Sequence, residues 1–168
     1  QQLRNTLADL ADIGGAQAVL GWDQQTYMPP GGAEQRGQQA GTLGKLAHQI
    51  ATSPELGKLL DELKPYAASL DPDSDDARLV KFAIRDFEQA TRVPQEFVVE
   101  QAQVIALANQ AWAEARAKSD FSHFRPHLEK IVELVHRFIS FFPKTDHPYD
   151  VLLDQFEPEM KTADVKKI

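Results

Sequence analysis

His123 and His127 stand four residues apart in the stretch His123-Phe124-Arg125-Pro126-His127, the interval that sets two imidazoles on one helix face to hold a zinc ion. The residue after His123 is Phe124, not the Glu that a metallopeptidase uses as general base. Pro126 also disfavours helical geometry at Arg125, so the two rings are expected to diverge and to bind no metal. His48, His136 and His147 are isolated and read as polar-face residues, and His-Glu-x-x-His occurs nowhere. A second pattern is acidic. Asp150, Asp154 and Glu157 fall at four- and three-residue steps, which could line three carboxylates along one groove for general acid and base work. Acids that open a helix also stabilise its dipole, so fold support or groove lining is the preferred reading, and a hydrolase built on these three ranks last. Trp22 and Asp23 could contact substrate or a partner. The expected role of Trp22 is a buried anchor whose N–H finds an acceptor, with Asp23 capping or pairing locally.

The elements that must position these groups are helices. Leu3, Leu7, Leu10 and Ile13, prolonged by Val19 and Leu20, predict an amphipathic helix over 3–20, with Gly14-Gly15 marking a close helix crossing. The stretch from Gly21 to Gly32 reads as an ordered loop: two prolines and two glycines break regular structure, while Trp22, Tyr27 and Met28 pin it to a neighbour. A helix resumes over 33–51. Ser53-Pro54-Glu55 starts the next, with Ser as cap and Pro at the first helical position, and Lys64-Pro65 ends it. The acids of 71–76 read as a solvated cap, since EF-hand spacing is absent. The fourth helix carries Leu79, Val80, Ala83, Ile84 and Phe87 and stops before Val93-Pro94. The fifth spans Pro94 to about Lys118, a rod of roughly 37 Å, with Trp112 in its core-facing period. The sixth is capped by Asp120 or Ser122 and carries Phe124, Leu128, Ile131, Val135, Phe138 and Phe142. Shorter helical pieces are expected over Tyr149–Phe156 and from Thr162, the latter cut off at Ile168. No segment alternates as a strand does. The expected fold is all-α, antiparallel helices around a long central pair formed by the fifth and sixth, in one helical region over 1–168.

Composition narrows the partners. Apolar content of 42% and charged content of 26% belong to a globular chain, and no apolar run approaches the ~20 residues of a membrane span. A net charge of −7 argues against nucleic acid, whose phosphates need clustered Lys and Arg. With no cysteine there are neither disulfides nor thiolate metal sites, which fits a reducing, cytoplasmic setting. No signal-peptide pattern opens the chain, although its first residue, Gln1, leaves room for a removed upstream segment.

Four landmarks in order carry a resemblance. They are Trp22-Asp23-x-x-Thr26-x-Met28-Pro29 running into Gly31-Gly32-Ala33-Glu34-x-Arg36, then Ala111-Trp112-Ala113-Glu114-Ala115-Arg116, then Asp120-Phe121-Ser122-x-Phe124-x-Pro126-x-Leu128, and last Tyr149-Asp150-x-Leu152-Leu153-Asp154-x-Phe156-Glu157-Pro158. Together they resemble the Taq carboxypeptidase family, zinc metallocarboxypeptidases with an HExxH site. The resemblance implies the N-terminal part of a larger, mostly helical metallopeptidase whose catalytic motifs lie downstream. It implies a peptide substrate, zinc or another divalent metal such as cobalt in the parent enzyme, and a helical wall or lid that is inert alone. Trp22, Asp23, Tyr149, Asp150, Asp154 and Glu157 are then groove or fold-motif residues, with no catalytic or metal-binding residue among them. Where the family pattern leads to Gly after Glu157-Pro158, Glu159 stands instead, which puts a tight positive-φ turn there in doubt. Expected partners are the C-terminal catalytic region and a second copy of the chain. The alternative is an independent helical module that binds a partner helix in an apolar groove.

Overall fold

The computed structural model describes residues 1–168. Its first helix, α1 (Gln2–Thr26), is longer than its apolar period predicts. No proline removes an N–H before Pro29, so the helix continues through Gly21-Trp22-Asp23, and the break falls where Tyr27 and Met28 both donate to the Asp23 carbonyl. Pro30–Gly32 then forms one 3₁₀ turn. The expected twelve-residue loop is thus mostly helix.

The α2 helix (Ala33–Ala51) returns along α1 and lies against α5 (Gln95–Lys118) in the most extensive helix contact of the molecule. Gly37, Gly41 and Gly44 make this possible. A Cβ on Gly37 would stand 3.4 Å from the Gln103 Cα, and one on Gly41 or Gly44 would stand 3.3 Å from the methyls of Val99 or Val98. The contacts run in opposite directions along the two helices, so the pair is antiparallel. The close crossing expected at Gly14-Gly15 is not there: no atom lies within 4 Å of where either Cβ would be.

The α3 helix (Pro54–Ala68) and α4 helix (Asp75–Ala90) start on Ser53 and Ser74, whose hydroxyls accept from Leu56 and Ala77 N–H. Pro65 does not end α3. It sits within its last turn, where the loss of one N–H leaves most of the ladder intact. Leu56 and Leu60 of α3, Val80 and Ala83 of α4, and Leu3 of α1 bury one another as a core at this end.

Ser119, in the left-handed region at φ 52°, turns the chain from α5 into α6 (Phe121–Ser140), which Asp120 caps by accepting from Ser122 and His123 N–H. Phe97, 2% exposed, packs edge-on against Phe141 at 5.1 Å and beside Phe138 at 6.2 Å. The start of α5 therefore meets the end of α6. Helix α5 is central: it pairs with α6 as expected and lies against α2 on another side. Its Trp112, expected in the core, is 47% exposed, because small residues, Ala108, Ala111 and Ala115, fill the buried face instead. Two single turns, α7 (Asp150–Leu153) and α8 (Thr162–Val165), close the chain; α7 is half the expected length. There are no strands, and no helix is long and apolar enough to cross a membrane.

Candidate functional site

Two polar clusters gather the residues singled out by the sequence. The first is the corner between α1 and α2. Arg36 reaches back one helix, donating to the Asp23 carboxylate at 2.5 Å and to the Leu20 carbonyl. Its side chain is 12% exposed, so both bonds work partly shielded from water. Gln24, one residue on, donates to the Ala106 carbonyl of α5 at 2.9 Å. Asp23 therefore pairs locally, as expected. Trp22 does not serve as a buried anchor: it is 58% exposed and rests on Tyr27 at 5.5 Å, itself 77% exposed. Helical continuation to Thr26 leaves residue 22 on an outward face.

The second cluster ties the end of the chain to α4. Asp150 is buried and accepts from the Thr162 hydroxyl at 2.6 Å, the Thr162 N–H at 2.7 Å and the His147 N–H at 3.3 Å. The Thr162 hydroxyl above all, then the Thr162 N–H, holds its carboxyl below the ordinary aspartate value against the opposing effect of burial. Asp154 accepts from Arg85 at 2.8 Å, from Gln89 at 2.8 Å and from the Glu159 N–H at 2.8 Å. Burial pushes this carboxyl up, and the three donors together outweigh it, so the net shift is downward. Glu159 has φ 70°. The positive-φ turn that a glutamate made doubtful is present, fixed by Asp154. Glu157 is exposed and Tyr149 half-exposed, its N–H donating to His147 Nδ1. The structure thus gives Asp150 and Asp154 separate structural partners, and Glu157 joins neither.

The histidines divide differently from their expected roles. Backbone 121–140 is helical through Arg125 and Pro126, since the Asp120 cap and the apolar stripe of α6 outweigh one missing bond. His123 and His127 hold helical spacing after all. His123 Nε2, however, lies 3.3 Å from Glu114, which the Gln110 amide first and His123 further on hold at a lowered pKa. Nowhere do three His, Asp or Glu side chains gather closely enough to hold a metal ion, and a zinc site needs at least three. The donors of this chain do not fit that group. His48, read as a polar-face residue, is partly buried, with Nε2 2.7 Å from the Val93 carbonyl and 3.2 Å from that of Ala90. It ties α2 to the end of α4, a role that isolated sequence position does not signal.

The family model for carboxypeptidase Taq (M32) metallopeptidases matches residues 2–168. The chain belongs to this M32 family. Thermostable carboxypeptidase 1 of Pyrococcus furiosus is 38% identical over 93% of the chain and 31% of its own length. Carboxypeptidase 1 of Bacillus subtilis is 37% identical over 85% of the chain and 28% of its own length. Among solved structures, the BsuCP crystal structure superposes with TM-score 0.92 at 32% identity, over 99% of this chain and 33% of that one. The M32 carboxypeptidase of Deinococcus radiodurans R1 superposes with TM-score 0.73 at 40% identity, over 100% and 33%. The chain spans about a third of the length of these M32 relatives.

Proposed function

We propose that this M32 chain is the N-terminal helical region of a metal-dependent carboxypeptidase that removes C-terminal residues from peptides, and that it forms one wall or lid of the substrate groove. The single observation supporting this is the family match along 2–168, with superposition over 99% of the chain onto a third of a homologous enzyme. Zinc, or a related divalent ion such as cobalt, would supply Lewis-acid chemistry when bound; that no three His, Asp or Glu side chains gather here supports a site built from residues of the remaining polypeptide. Exposed aromatics on several faces, among them Trp22, Phe121 and Phe156, support a surface that further polypeptide or a second copy covers.

The test compares two proteins. Full-length protein supplied with zinc or cobalt releases the terminal amino acid from a blocked dipeptide, and residues 1–168 alone release none. Metal-dependent turnover by the isolated region would overthrow the assignment. Activity that survives chelation but dies in Asp154→Asn would instead favour the carboxylate hydrolase.

A further inference from the structure

Between α1 and α5, where both lie against Ala40 and Gly44 of α2, runs a groove of about 370 Å³. Small and apolar residues, among them Gly21, Gly44, Val98 and the 51% exposed Ile105, line it together with five side-chain amides and no charged group. Gln24 is committed to the Ala106 carbonyl. The other four, Gln17 and Gln25 on α1 with Gln101 and Asn109 on α5, make no side-chain hydrogen bond within the chain, leaving donors and acceptors turned toward the same space.

This lining discriminates between occupants. A packed helix has already satisfied its main-chain groups and offers little to unpaired amides. An extended peptide presents free N–H and C=O at every residue, and a neutral amide can answer either. Without charge on the walls, such a groove reads the main chain and ignores side-chain charge. From Gln101 to Asn109 the helical rise gives about 12 Å. An extended chain covers that with about four residues at about 3.3 Å each.

We infer that the α1–α5 groove is a main-chain subsite for an extended stretch of peptide, remote from the reacting bond. As a role in turnover, this rests on the carboxypeptidase reading above. Its effect is to make affinity grow with peptide length while remaining tolerant of sequence.

The test uses the full-length, metal-loaded enzyme and N-blocked alanine peptides. KM should fall from dipeptide to octapeptide. Q101L/N109L should raise the octapeptide KM about tenfold, with kcat and the dipeptide KM unchanged. Gln25→Ala, at an exposed position, should raise it about threefold and carries no folding risk. Independently of turnover, a cleavage-resistant octapeptide ending in a D-residue should slow maleimide labelling of Q25C. An octapeptide KM unmoved in variants that melt like the wild type would overturn the subsite. So would labelling that the octapeptide leaves unchanged, or a Q25C thiol unreachable in the ligand-free enzyme, since other polypeptide then fills the groove. Wild-type enzyme that cleaves no peptide would sink the carboxypeptidase reading instead, and the labelling result would still decide whether peptide binds here.

Discussion

Arg85 donates both to the main-chain carbonyl and to the carboxylate of Asp154, each at 2.8 Å, across 69 residues of sequence. With Gln89, this guanidinium fastens the segment that follows α6 to α4. Asp154→Asn keeps the side-chain shape and removes the charge, and a charge-assisted bond of this partly exposed kind is worth about 1 kcal/mol. The melting midpoint of Asp154→Asn should drop slightly, and metal-dependent peptidase activity of the full-length enzyme should persist. Abolished activity in a folded Asp154→Asn enzyme would give the carboxylate a chemical role.

Glu159 and Ser119 hold positive φ without being glycine. The left-handed region crowds a Cβ by roughly 1–2 kcal/mol, part of which glycine returns as unfolded-chain entropy. Glu159→Gly and Ser119→Gly should each stabilise by up to about 1 kcal/mol in urea denaturation. A loss in both would mean that the Cβ contacts matter more than the backbone.

The helix pair α2–α5 should tolerate no bulk at its crossing. Gly41→Leu drives a side chain into Val99 and should cost about 1–3 kcal/mol. Gly14→Ala, in open space, should instead stabilise by about 0.5–1 kcal/mol through helix propensity. Equal effects at the two positions would contradict the packing described here.

Truncating Phe97 removes the ring that joins α5 to the end of α6. Phe97→Ala should cost about 3–5 kcal/mol, read from the urea midpoint at unchanged slope.

Acid should loosen the chain end before the rest. Asp150 and Asp154 both titrate below their ordinary value, so the unfolded state binds their protons first as pH falls. Their contribution is complete well above the unfolded aspartate value of about 3.9 and is lost as pH drops through the lower, folded values. Amide exchange at Thr162 should accelerate in that window, and Asp150→Asn should show the acceleration already at neutral pH.

Helix number, most caps and the all-α class were legible in the sequence because they rest on local spacing: Ser53 as a cap, the cap-forming stretch 71–76 before α4, Asp120 before α6, the apolar period of α5. The four landmarks placed the family for the same reason, since identity and order of residues need no coordinates. What the sequence could not decide was which face of each helix meets a neighbour. Gly14-Gly15 and Gly37/Gly41/Gly44 look alike as text, yet only the second set touches another helix; Trp112 fits an apolar period and Trp22 reads as an anchor, while both stand in the open. Glu159 adopts its turn because the Asp154 carboxylate, itself held from α4, accepts its N–H. The α1–α5 amides are separated by some eighty residues, and only the shared packing of both helices on α2 brings them to one groove. Local propensity is written residue by residue, whereas long-range pairing is a balance among all faces at once.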